Sequence, residues 1–328
     1  MDQVVSGVQL PVRRRAAWVA GAPYAAIAAG GALIDWLSTE HPAAMPVWGP
    51  WQFSWPEYAT TALVLYWFAR GRRLIAPEAR PAAWRTIAFL AGVAATYAVM
   101  QTRFDYLAQH MFFLNRIQHV VMHHLGPFLI ALGGAGEAIR RGMPDPARRL
   151  VESRPVLAVI RVLQQPLLAA FLFVGLVYFW LIPPIHFRAM IDARLYAVMN
   201  WSMVLDGLLF WYLVLDPRPK PPARVSFGGR AALAVGVSLP QILLGAVLAF
   251  TARDIYPFYD LCGRLFPSIP AVADQHIGGV IIWMPPAMMS GIAVLLVVNA
   301  LRVQEEGHVE EDEAAAALAA AARRWTGR

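Results

Sequence analysis

Apolar stretches of about twenty residues, the length that crosses roughly 30 Å of hydrocarbon, recur along this chain. They cover residues 16–36, 54–70, 86–102, 110–135, 157–182, 196–215, 231–251 and 275–301. Only 15% of the residues are charged and 58% are hydrophobic, whereas soluble domains carry closer to a quarter charged residues. The pattern predicts an all-α, polytopic transmembrane bundle of about eight spans. Residues 1–302 form its single membrane domain and residues 303–328 a charged tail.

The loops alternate in basic charge. Arg13, Arg14 and Arg15 precede the first span; Arg70, Arg72, Arg73, Arg80 and Arg85 follow the second. Arg140, Arg141, Arg148, Arg149 and Arg154 follow the fourth, and Arg218, Lys220, Arg224 and Arg230 the sixth. The opposite loops hold only Arg103 and Arg116, Arg188 and Arg194, and Arg253 and Arg264. The positive-inside rule therefore predicts that both termini and the tail are cytoplasmic. The net charge of +7 calls for no nucleic-acid partner, because it sits in loops beside membrane lipids. No short apolar core with a small-residue cleavage site follows Arg15, so the first span is expected to be retained.

Trp48, Trp51 and Trp55 in the loop from Ser38 to Pro56 fit an aromatic belt. The loop from Arg253 to Ala273, with Tyr256, Phe258, Tyr259 and Phe266, reads the same way, with capping of an outer site mouth as the alternative. The single cysteine, Cys262, excludes an internal disulfide and any CxxC motif. In the tail, acids from Glu305 to Glu313 precede Arg323 and Arg324, the order that a short solvated helix prefers. His308 there reads as a surface residue. There is no phosphate-binding loop, no GxSxG elbow and no HExxH, so nothing supports an ATP-driven pump or a hydrolase.

The fourth apolar segment is the unusual one, because it holds His110, His119, His123 and His124 with Met111 and Met122. Ionisable groups at membrane depth point to function, and imidazole with thioether suits copper better than a hard cation. At ~100° per residue on an α-helix, His119 and His123 lie about 40° apart on one face, one turn after Asn115; His124 turns away, to within ~40° of His110. In the inferred orientation His119 sits ~10 Å below the outer boundary and His124 near mid-depth. Three histidines within six residues favour a metal or haem over a solitary hydrogen-bonded imidazole.

A second constellation opens the last span: Asp274, Gln275, His276, Gly278, Gly279 and Trp283. Helix capping explains Asp274 and close helix packing explains the glycines; neither explains His276, which shares the outer layer with His119. In the sixth span Asp206, beyond Met199, Asn200 and Met203, lies ~15 Å deep and must pair, with His124 the expected partner, or stay neutral.

These residues resemble a known family. Gln118-His119 followed by Pro127-Phe128-Leu129, together with the run Ala273-Asp274-Gln275-His276-Ile277-Gly278-Gly279 and Trp283, resembles the CtaG-type cytochrome c oxidase assembly factors of bacteria. The resemblance implies a multi-pass protein of the bacterial inner membrane that matures a haem-copper oxidase by holding or delivering copper. It carries His119 over as a ligand. The family's His-Met-x-x-His pattern falls on Asn115 and Arg116, where this chain departs from it, and His276 stands where the family has glutamine.

The expectation is thus a metallochaperone rather than an enzyme. Cu(I) is bound near the periplasmic face by His119 and His123, with His110, His124, Met122 and His276 competing for the remaining positions. Asp274, Gln275, Asp206 and Asn115 are the partners that orient them. A cytochrome c oxidase subunit would receive the metal, a periplasmic copper chaperone is a candidate donor, and the oligomeric state is open. A haem-binding electron-transfer protein and a copper transporter are the rivals.

Overall fold

The computed structural model describes residues 12–50 and 52–325. Trp51 and the side chains of Arg13–Arg15, Glu310, Glu311, Asp312, Arg323 and Arg324 lie outside the described set. The described residues are all-helical, with no strand. Helix α1 spans Val12–Glu40. Helix α2, Trp55–Leu74, starts with Pro56 and Glu57 in its first turn and ends on Arg72 and Arg73, as the helix dipole favours. Helix α3 covers Ala83–Gln101, and Thr102 caps the short α4, Arg103–Ala108. The histidine-rich segment is broken into α5 (Phe112–Val120), a π turn (Val121–Leu125) and α6 (Gly126–Gly133). Gly134 ends α6 in the left-handed region, φ 61°, which a residue without a Cβ adopts freely.

Three short helices follow: α7 (Gly136–Gly142), α8 (Asp145–Val151) and α9 (Arg154–Leu163). The bundle continues with α10 (Pro166–Leu181), α11 (Pro183–Ile191), α12 (Ala193–Val214) and α13 (Phe227–Phe250). After the single turn α14 (Phe258–Leu261), α15 runs unbroken from Ala271 to Trp325. The tail therefore prolongs the last span instead of forming the separate short helix expected.

Among the described residues, four helices are long and apolar enough to cross a membrane: Ala83–Gln101, Ala193–Val214, Phe227–Phe250 and Ala271–Val309. A fifth arises if α9 and α10, bent by 73°, count as one broken span. The expected count of eight is thus reduced on these criteria, for local reasons. Glu57, Arg70, Arg72 and Arg73 lower the hydropathy of α2. The segment 110–135 is divided by the π turn, and 157–182 is bent at Gln164–Gln165, ahead of Pro166.

Small residues set the closest helix contacts, as van der Waals packing in lipid requires. A Cβ on Gly245 of α13 would lie 2.7 Å from the Gly279 carbonyl oxygen, and one on Gly279 would lie 2.5 Å from the Ala249 nitrogen. Gly92 of α3 meets the Gly126 carbonyl at 2.7 Å in the same sense. Aromatic packing closes one end of the bundle: Phe112 stacks on Tyr256 at 4.3 Å, over buried Phe258 and Tyr259. Those side chains of the 253–273 loop are core, not a headgroup belt. The broken α5–π–α6 segment runs through the middle of this packing, against α3, α12 and α15.

Candidate functional site

Pro127 gives the histidine segment its geometry. It has no N–H to bond the carbonyl of His123, so the α-helical ladder must break there. The backbone answers with a π turn in which the Gly126 N–H reaches Val121, a five-residue closure of the sort found at functional sites. The freed His123 carbonyl is covered by Gly207 of α12, where a Cβ would clash with it. The π turn also alters the angular step on which the sequence reading relied. His119, His123 and His124 consequently line one small cavity, joined by Arg116, Met203 and Gln241. Its volume of about 20 Å3 is room for roughly one water molecule.

All three imidazoles are buried, at 5%, 0% and 3% exposure for His119, His123 and His124. His123 Nε2 lies 3.1 Å from Asp206 Oδ2, and its ring stacks on Phe173 of α10 at 4.1 Å. The expected Asp206–His124 pair is therefore corrected by one residue: the π turn presents His123 to α12. His124 Nε2 instead contacts Gln241 Oε1 at 2.9 Å. Each of these two rings keeps its Nδ1 without a partner, and neither nitrogen of His119 has one. With Asp206 ionised, both partners offer only acceptor oxygens, so Nε2 of each ring carries the proton and Nδ1 keeps its lone pair.

The other predicted residues lie elsewhere. Met122 is fully buried among Val99, Met100 and Val204 and does not line the cavity; Met203 supplies the thioether there. His110 Nδ1 binds the Gly263 carbonyl at 2.9 Å, and His276 Nε2 the Thr251 carbonyl at 3.0 Å. Asp274 does not cap its own helix, which starts at Ala271. It accepts from the backbone N–H groups of Phe112 (3.0 Å) and Phe113 (2.7 Å), capping α5, and pairs with Arg264 at 2.6 Å. Gln275 accepts from the Ile255 N–H at 2.8 Å and donates to the carbonyls of Leu248, Thr251 and Arg253. Both side chains thus lock the start of α15 to its neighbours. Asn115 contacts Met190 Sδ at 3.9 Å and accepts from Arg116.

Arg116 is the site residue that sequence reasoning misplaced, having been counted as an outer-loop charge. It is 2% exposed, stands over the Phe112 ring at 5.0 Å, and its Nε has no partner. His186, also absent from the expectations, is buried with Nε2 2.9 Å from the Tyr259 hydroxyl and Nδ1 3.2 Å from the Trp180 carbonyl. Its place after Pro183-Pro184, outside any predicted span, hid it. Gln118 was named only as a neighbour of His119. It donates to Asp105 at 2.7 Å and, with Tyr196, ties α5 to α4 and α12. Burial holds the Asp105 carboxyl above its ordinary range, against the hydrogen bonds from Tyr196, Gln118 and Gln109. Among the described residues, no three His, Cys, Asp or Glu side chains are placed to hold a metal ion together.

Comparison with known proteins places these residues in a family. The chain is similar to uncharacterised proteins of Mycobacterium bovis and Mycobacterium tuberculosis, 25% identical over 261 residues, which cover 70% of this chain and 37% of theirs. It is also 25% identical over 240 residues to an uncharacterised protein of Mycobacterium leprae, of which it spans 34%. The chain therefore spans about a third of the length of these relatives. No solved structure matches it. The sequence model of the cytochrome c oxidase caa3 assembly factors matches residues 62–303, from within α2 to within α15 and across the whole histidine segment, and the chain belongs to that family.

Proposed function

We propose that this protein is a multi-pass factor of the bacterial inner membrane that serves cytochrome c oxidase assembly by holding one Cu(I) ion and passing it to an oxidase subunit. The observation that carries this reading is the set of unpartnered imidazole nitrogens of His119, His123 and His124 on a cavity sized for a single ion. Soft and borderline donors select copper, and Met203 brings a thioether to the same lining. His123 and His124 would bind through Nδ1, with Asp206 and Gln241 fixing their tautomers from behind, as carboxylate and carbonyl partners do for metal-bound histidines. His119, with both nitrogens free, is the donor that can turn to capture or release the ion. Transfer is then ligand exchange, with no bond-making chemistry by the protein.

A haem fits this site poorly, because ligand pockets of even modest size run to about 300 Å3 and this cavity holds about 20 Å3. The basic loops support cytoplasmic termini, and a periplasmic copper chaperone is the natural source of cargo. The test is Cu(I) competition against a chromogenic chelator with detergent-purified protein. Wild type should retain one equivalent, and the double variant His119→Ala, His123→Ala should retain none while remaining inserted and folded. Stoichiometric copper in that variant would overturn the reading.

A further inference from the structure

We propose that a second cavity, between α2, α3, α6 and α12, binds an uncharged, hydroxyl-headed isoprenoid lipid of the prenyl hydroquinone class. This inference does not depend on the copper reading. The cavity holds about 250 Å3 and is walled chiefly by apolar side chains, among them Phe89, Val93, Ile130 and Leu208. It is open toward lipid, since Leu205 on its rim is 52% exposed.

One end is polar. Glu57, in the first turn of α2, meets Gln101, in the last turn of α3, where Gln101 Nε2 donates to Glu57 Oε2 at 2.6 Å. The other carboxylate oxygen of Glu57 has no protein partner among the described residues. The Tyr97 hydroxyl, on the same lining, has none either. An ionisable side chain on a lipid-facing cavity marks a functional site by default, and a mostly apolar pocket with a few convergent polar groups is the usual form of a ligand site.

The chemistry selects the head group. No Lys, Arg or His lines the cavity, so a phosphate head would find no counter-charge there. A neutral head with O–H donors satisfies Glu57 directly. Tyr97 and Trp201 line the same cavity, and aromatic side chains pair well with an aromatic ring, which favours a hydroquinone over an aliphatic alcohol. The tail then follows the apolar wall away from the Glu57 end.

The test is a titration of the full chain in detergent, under argon, with a short-tailed prenyl hydroquinone and its dimethyl ether, read by native mass spectrometry. One equivalent of hydroquinone should bind saturably. The ether should bind about tenfold more weakly, because it lacks the donors. Glu57→Gln should weaken hydroquinone binding by a similar factor, with copper stoichiometry and melting temperature unchanged. Val64→Phe, which fills the cavity from α2, should abolish binding and keeps the test open if Glu57→Gln fails to fold. Equal binding of hydroquinone and ether, displacement of hydroquinone by phosphatidylglycerol, or undiminished binding to the Val64→Phe protein would each overturn the proposal.

Discussion

His123 Nε2 and Asp206 Oδ2 face each other across 3.1 Å, joining the π turn to α12 in a buried contact between residues 83 positions apart. A carboxylate behind a metal-binding imidazole fixes the tautomer and raises the basicity of the opposite nitrogen. Asp206→Ala should therefore lower Cu(I) affinity about 10–100-fold. Asp206→Asn should lower it less, because the amide oxygen still accepts from Nε2–H. Chelator competition on both variants reads the difference, and equal affinities for wild type and Asp206→Ala would remove Asp206 from the site.

The three cavity histidines are separated by their contacts from the two outlying ones. His110 and His276 each bond a backbone carbonyl, and neither lines the cavity. The double variant His110→Ala, His276→Ala should keep one equivalent of Cu(I), with affinity within about twofold of wild type. A loss comparable to that of the His119, His123 pair would mean that copper is held nearer the ends of α5 and α15.

Gly207 should tolerate no larger residue. A Cβ there would clash with the His123 carbonyl and lie 2.9 Å from Pro127 Cγ. Neither neighbour is a flexible chain end. Gly207→Ala should destabilise the protein by roughly 1–3 kcal/mol and push the π turn away from α12. Thermal unfolding in detergent measures the first effect. Loss of Cu(I) at temperatures where the variant is still folded measures the second.

The helical class and the clustering of imidazoles at residues 119–124 were legible in the sequence, because long apolar runs and neighbouring histidines need no tertiary information. The convergence of His119, His123 and His124 was not, since it depends on a π turn while the reading assumed a uniform α-helical step. Pro127 was visible throughout; what it does to the carbonyl of His123 appears only when Gly207 is packed against that carbonyl. The same shift turned an expected Asp206–His124 pair into Asp206–His123. Arg116 was misplaced because a charge near a span end reads as loop, whereas here the Phe112 ring and the Asn115 side chain shelter it inside the bundle. Likewise, Gln164, Gln165 and Pro166 carry the signal for the 73° bend, but within a run scored by hydropathy alone they pass as part of a span.

Asp274, in one of the stretches that carry the resemblance to the assembly factors, is predicted to serve the fold and not the metal. Its carboxylate, 0% exposed, takes the first N–H groups of α5 at Phe112 and Phe113 and neutralises Arg264. Asp274→Ala would leave those two donors without an acceptor and take one of two carboxylates from Arg264, which keeps its ion pair with Asp260, so the loss is chiefly that of a helix cap, roughly 1–2 kcal/mol. Asp274→Asn keeps one acceptor oxygen and should fall between it and wild type. Because Asp274 does not touch the cavity lined by His119, His123 and His124, the protein that remains folded should still bind one Cu(I). Thermal unfolding and chelator competition on the same samples separate these effects. A folded Asp274→Asn protein without copper would place this carboxylate in the metal site after all.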